Sequence, residues 1–266
     1  MAILLRTEME IAGLRRAGHL CARILAEGAA ACAAGAGPAA LDRLVRARLR
    51  AAGAEPILTE QSAPAGAFPG AISVSVGRVV ANGPPVGDEI PPGQLVRLDL
   101  AVGLDGWVAD CATTVIAGGA GPAVALREGA EAVTRAAIAA MGPGAWWPGV
   151  VAAARAAAAA RGLHIARWPW GHGVGRRLHE PPTLPGDPAE PGAGFQLRSG
   201  MVLAVEPVVM DVPGPLELAP GGWSLLGPEG ASAACEERTV VITAAGAEDL
   251  TPLGRADSDD PGRRGA

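Results

Sequence analysis

The chain has 266 residues, with 22 basic side chains against 27 acidic ones and a net charge of −5. Apolar residues make up 49%, which excludes a disordered or collagen-like chain, and the mild acidity without a clustered arginine face argues against nucleic acid as the main ligand. Aromatics are only 3% and there is no tyrosine and no lysine, so every fixed cation is an arginine.

The opening residues hold only a short apolar run before Arg6, with acids following at once, so no secretion signal is expected. From Thr7 to about Ala34 the apolar spacing of Ile11, Leu14, Ala17, Leu20 and Ile24 is helical. Gly35 to Pro38 breaks it, and a second helix is expected over Ala39 to Ala52. The period then changes to two. Ile72, Val74 and Val76 alternate with small or polar residues, as do Val96, Leu98 and Leu100, which predicts half-buried strands. Asp105-Gly106 is a hairpin-turn pair between the runs Leu95 to Gly103 and Trp107 to Ile116.

After Gly118 to Pro122 the pattern restarts. Helices are expected over Ala123 to Met141 and Val150 to Arg161, then strands near His164 to Trp168, Met201 to Val209, Ser224 to Leu226 and Glu237 to Thr243. Pro181 to Gly194 reads as a proline-rich loop, and the tail 251–266 as disordered. Each half therefore runs helix, helix, strands, which predicts a duplicated α+β unit without visible sequence identity between the halves. The stretch Ala136 to Ala160 is interrupted by Gly142, Pro143, Gly144, Pro148 and Arg155, so no membrane-spanning helix is expected. Cys21, Cys32, Cys111 and Cys235 form no CxxC pair and read as reduced core residues of a soluble, cytoplasmic protein.

Chemistry concentrates in a few acids and one histidine. If Asp105-Gly106 is a two-residue turn, Asp110 lies opposite Ala101, and Asp99 is two residues along on the same face. Two carboxylates so placed, among Val96, Leu98, Leu100 and Val108, repel unless a cation lies between them. For this pair alone, a solvent-facing edge hairpin is the competing reading. His172 and His179 lie in a glycine-rich segment, Gly171 to Pro181, where a bare backbone lets a ring reach a buried centre. A dinucleotide loop fails there, because Arg176 occupies the last glycine position. Glu206 and Glu237 end or begin apolar strands, where acids are unusual. Asp99, Asp110, His172, Glu206 and Glu237 together offer four carboxylates and one imidazole, enough to neutralise two divalent ions of the Mn, Fe, Co or Zn type.

In order and spacing these residues resemble type I methionine aminopeptidases, of the pita-bread metallopeptidase superfamily that also contains aminopeptidase P, prolidase and creatinase. The resemblance runs from about Ile3 to Leu253. It includes Glu10-Ile11 and Arg16-Ala17-Gly18 in the first helix, His172-Gly173-Val174-Gly175 with His179-Glu180-Pro182, and Gly222-Trp223 fourteen residues before Glu237. It implies an α+β pita-bread fold in one catalytic domain, residues 1–250, with halves of about 4–118 and 122–245 and the site between them. By position, Asp99 would chelate one metal, Asp110 and Glu237 would bridge two, and His172 and Glu206 would complete the second. Glu206 would act as general base and then acid toward a bridging water, and His179 would hold the substrate amide. Phe68, Leu178 and Trp223 would line the side-chain pocket. Glu236 adjoins Glu237, but the run Thr239 to Thr243 sets the register in favour of Glu237.

Some positions depart from that pattern. Asn82-Gly83 stands where the family has His-Gly, Gly77-Arg78 replaces Asn-Glu, Arg238 replaces a histidine, and Ala63 to Ala67 lack an aromatic. These departures bear on turnover and methionine selectivity and leave the five ligands in place. The resemblance implies removal of N-terminal methionine from peptides and nascent proteins by a monomeric enzyme with two divalent metal ions (Co, Mn, Fe or Zn) and no membrane partner. The alternatives are an X-Pro or other aminopeptidase of the same fold, and a peptide-binding protein without activity.

Overall fold

The computed structural model describes residues 3–64, 66–119 and 123–253. Helix α1 (Glu8–Ala33) starts at Thr7, whose side chain accepts from the Glu10 amide while the Glu10 carboxylate accepts from the Thr7 amide. Its apolar stripe of Ile11, Leu14, Ala17, Leu20, Ile24 and Leu25 is buried. Helix α2 (Pro38–Ala52) begins with a proline at a position where no amide partner is needed, and ends on Gly53 in the left-handed conformation.

Strands β1 (Ser73–Val76), β2 (Val79–Ala81), β3 (Leu95–Leu104) and β4 (Trp107–Ile116) follow. The β3–β4 hairpin has the register set by an Asp105-Gly106 turn, with Ala101 opposite Asp110 and Leu104 opposite Trp107. Strand β1 pairs with the other edge of β3, so that Ser73 lies opposite Asp99 and Ser75 opposite Arg97. The expected half-buried alternation does not hold for β3, which is covered on both faces because α1 packs across the hairpin.

The second half opens with α3 (Val124–Ala139) and α4 (Trp147–Ala159). Helix α4 starts earlier than expected, because Pro148 fits its first turn and Trp147 is fully buried. Strands β5 (Gly171–Gly173), β6 (Glu180–Thr183), β7 (Val202–Val205), β8 (Val208–Met210), β9 (Leu225–Leu226), β10 (Ala233–Cys235), β11 (Arg238–Thr243) and β12 (Gly246–Asp249) complete it. The sheet order is β6-β5-β7-β11-β12, with β10 and β8 in a separate small sheet and β9 paired to β2 of the first half.

Several expected boundaries move. The single strand over Met201 to Val209 is two strands in different sheets, separated at Glu206-Pro207, where proline lacks the amide to continue the ladder. The strand after His164 ends at Ile165. Part of the proline-rich loop, Glu180–Thr183, is strand β6, and its edge position tolerates the prolines. Thr251 is fully buried, and its hydroxyl accepts from the Thr239 amide at 3.0 Å, so the ordered chain extends past the expected start of the tail. The tail beyond residue 253 lies outside the described residues.

The two halves join where β4 runs antiparallel to residues 235–239. The Glu237 amide donates to the Ala112 carbonyl at 2.9 Å. Two residues away on either side, a threonine hydroxyl makes a two-way contact with the opposite backbone. Thr239 Oγ1 accepts from the Asp110 amide at 3.0 Å and donates to its carbonyl at 2.8 Å. Thr114 Oγ1 accepts from the Cys235 amide and donates to its carbonyl, both at 2.8 Å.

Helix α1 closes the outside of this join, and glycine permits the approach. A Cβ at Gly18 would lie 2.2 Å from the Leu250 carbonyl oxygen, which belongs to backbone and cannot swing aside. Gly18→Ala should therefore cost about 2 kcal/mol through overpacking, read as a lower urea midpoint at unchanged slope; an unchanged midpoint would show that α1 is free to shift.

Candidate metal centre

Three strands and two strand breaks deliver five side chains to one interior point. Asp99 comes from β3, Asp110 from β4 and His172 from β5, while Glu206 follows β7 and Glu237 precedes β11. Asp110, His172 and Glu237 are buried, and ligand atoms of these three all lie within 4.8 Å of one another. His172 Nε2 is 3.8 Å from Asp110 Oδ2 and 3.9 Å from Glu206 Oε1. The other ring nitrogen, Nδ1, is 2.9 Å from the Gly173 carbonyl. Donation to that carbonyl places the proton on Nδ1 and leaves Nε2 as a free lone pair facing the carboxylates.

Asp99 Oδ1, Asp110 Oδ1 and Glu237 Oε1 are buried oxygens with no hydrogen-bond donor within reach. Buried carboxylate oxygens are ordinarily satisfied, so three orphans at one point are the donors of a candidate cation site. The electrostatics agree. Burial raises the Asp99 carboxyl to about 6, and burial together with the Asp99 charge raises Glu206 to about 8. Asp110 and Glu237 are also pushed well up, by burial first and then by the neighbouring carboxylates. His172 is held down at about 4 by burial and by His179, which keeps its imidazole neutral.

The adjacent acids are separated cleanly. Glu236 accepts from Thr113 Oγ1 at 2.7 Å and from the Thr114 amide at 3.2 Å, and pairs with Arg238 at 2.9 Å. Its oxygens are occupied, whereas Glu237 points its orphan oxygen at the cluster. The strand alternation of this segment sends the two acids to opposite faces.

His179 is an exposed residue whose ring meets the His172 ring edge to face, with centroids 4.4 Å apart. It sits on a loop anchored by Glu180, a residue to which the sequence assigned no role. The buried Glu180 carboxylate accepts from the Arg176 and Arg177 amides at 2.8 and 3.2 Å and pairs with Arg6. Arg176 in turn lies over the Trp107 ring, 3.5 Å from its centroid. Beside His179 a cavity of about 340 Å³ opens between Glu60, Gln61, Leu178 and Arg177. A larger cavity of about 560 Å³, near Arg155 and Pro215, shares no residue with this cluster.

Of the expected pocket residues, Phe68 and Leu178 are buried, and the Trp223 ring meets Phe68 edge on at 5.1 Å. Asn82 follows β2 with φ of +56°, a conformation that asparagine tolerates better than most side chains. A second residue without an expected role is Arg97, buried on the same face of β3 as Asp99. A lone arginine in an apolar strand was the available signal. Burial lowers its guanidinium to about 10, which leaves it charged at neutral pH.

Comparison with known proteins agrees with this geometry. Methionine aminopeptidase 1 of Mycobacterium tuberculosis is 32% identical over 92% of this chain and 94% of its own length. The methionine aminopeptidase of Aquifex aeolicus is 31% identical, over 95% of this chain and all of its own. Among solved structures, methionine aminopeptidase from Thermotoga maritima superposes with a TM-score of 0.86 at 30% identity, covering 94% of this chain and 99% of the other. The fold is the α+β pita-bread arrangement. The profile of metallopeptidase family M24 matches residues 12–244, a span that contains all five converging side chains, and the chain belongs to that family.

Proposed function

We propose that this protein is a metallo-aminopeptidase that removes the N-terminal methionine from peptides and nascent proteins. The observation that carries the reading is the convergence of one neutral imidazole and four carboxylates, three of them with orphaned buried oxygens. The donor set fits divalent metal. Four negative charges and a free Nε2 match two ions of the Mn, Fe, Co or Zn class, held by Asp99, Asp110, His172, Glu206 and Glu237. Divalent ions held there polarise a carbonyl and acidify water.

The chain's own groups supply the rest. Glu206 takes the proton of the attacking water and returns it to the leaving amine. His179 donates to the substrate carbonyl as charge builds on it. Phe68, Trp223 and Leu178 receive the unbranched side chain, and the Asn82 amide contacts substrate without titrating. The four cysteines are buried and unpaired, which suits a reducing, cytoplasmic setting. No described helix is long and apolar enough to cross a membrane.

Metal-loaded protein should release methionine from Met-Ala-Ser and leave Met-Lys and Ala-Pro peptides intact. Glu206→Gln should lower kcat by about a hundredfold or more. Release from Ala-Pro instead would replace this reading with an X-Pro hydrolase, and metal binding without any release would replace it with a peptide-binding role. Asn82→His should speed turnover, since histidine also tolerates the positive φ and adds a titrating ring; an equal rate in both proteins would show that Asn82 already serves.

The raised carboxyls also set a pH dependence for the metal-free protein. Between the ordinary carboxylate range near 4 and the Glu206 value of about 8, the folded state holds more protons than the unfolded one. Stability therefore falls as pH rises through that window. The metal-free melting temperature should be lower at pH 8 than at pH 5.5, and added divalent metal should reverse that order. Identical slopes with and without metal would contradict the placement of these groups.

A further inference from the structure

Arg97 is 3% exposed and forms no ion pair among the described residues. Its guanidinium instead donates to three backbone carbonyls: Nη1 to Ala233, and Nη2 to Val79 and to Gly77, the last at 3.1 Å. Its Nε is buried without a partner. A buried cation that spends its donors on carbonyls alone is costly, and its isolation from any carboxylate means that it is not there as half of a pair.

The three carbonyls belong to separate pieces of chain, and each leads to the site. Gly77 and Val79 lie in the turn and strand that end at Asn82. Ala233 begins β10, four residues before Glu237. Arg97 itself is two residues before Asp99, with its side chain on the same face. Strand β2 carries the contact onward. Ala81 and Val79 pair with Leu225 and Leu226, just after Trp223, and the turn is tied to that segment again by Arg78 Nε on the Gly227 carbonyl at 2.8 Å.

We propose that Arg97 is a positioning residue for the aminopeptidase reaction, a two-pronged cationic clamp that holds the Asn82 and Trp223 rim of the substrate pocket at a fixed distance from the Asp99 strand. The inference rests on the reading of Asn82 and Trp223 as substrate contacts. The planar fork of a guanidinium spans carbonyls on different strands, whereas an ammonium is a point donor that cannot bridge them in the same way. The clamp therefore depends on arginine specifically.

The test uses the full-length, metal-loaded chain in Arg97→Ala and Arg97→Lys forms. Both variants should raise KM for Met-Ala-Ser about tenfold, with kcat and bound metal per chain within about twofold of the parent. Free guanidinium, well below denaturing concentration, should lower KM again in Arg97→Ala and leave Arg97→Lys unchanged. Hydrogen exchange should quicken in residues 77–83, 225–227 and 233–235 of both variants, with the rest of the chain unchanged. Because exchange needs no turnover, it separates the outcomes: quickened local exchange in a protein inactive even as the parent would sink the aminopeptidase reading and keep the clamp. Unchanged exchange at those segments, a uniform rise along the whole chain, or an unmoved KM in an active protein would each overturn the proposal.

Discussion

Four carboxylates that face one another in an apolar interior push apart, and the backbone has to hold them against that push. The restraint lies where β4 meets residues 235–239. Here the two halves share one backbone hydrogen bond, from Glu237 to Ala112, flanked by Thr239 on the Asp110 backbone and Thr114 on the Cys235 backbone. Each threonine hydroxyl both accepts and donates, so it stands in for a rung that a regular ladder would supply. Asp110 and Glu237 thereby acquire a fixed mutual position through their own main chains, and the acids need not find each other through flexible side chains.

The remaining side chains of the cluster are oriented by what surrounds them. His172 is set by its own neighbour's carbonyl, which decides the ring's free nitrogen. Glu206 makes the last rung of its sheet, its amide donating to the Trp170 carbonyl, and Pro207 has no amide to continue it. Glu180 ties the loop of His179 to Arg6 near the start of α1. Each of these devices is local, inexpensive in residues and independent of the others. Loss of one would loosen a single donor while the join between the halves kept the rest in place.

Much of this was legible in the sequence. The Asp105-Gly106 pair determined the hairpin register, and with it the proximity of Asp99 and Asp110, because a two-residue turn leaves no freedom in strand pairing. The helical stripes of α1 and α2 were equally plain. The short strands at Gly171–Gly173 and Glu180–Thr183 were not, since glycine and proline read as loop unless a neighbouring strand supplies the partner edge. Glu180 and Arg97 were passed over for a related reason. Their partners are backbone groups far away in the chain, and backbone groups leave no signature in composition. The identity of Glu237 over Glu236 became physical only when the hydrogen bonds of Glu236 accounted for its charge.

The join also has a temporal side. Asp110 and Thr239 are 129 residues apart, so a growing chain presents the β3–β4 hairpin long before the segment that locks it. During that interval the carboxylates stand in water, charged and without mutual strain. Their full desolvation waits on the second half, which supplies Glu237 and the Thr239 contact that complete the interior.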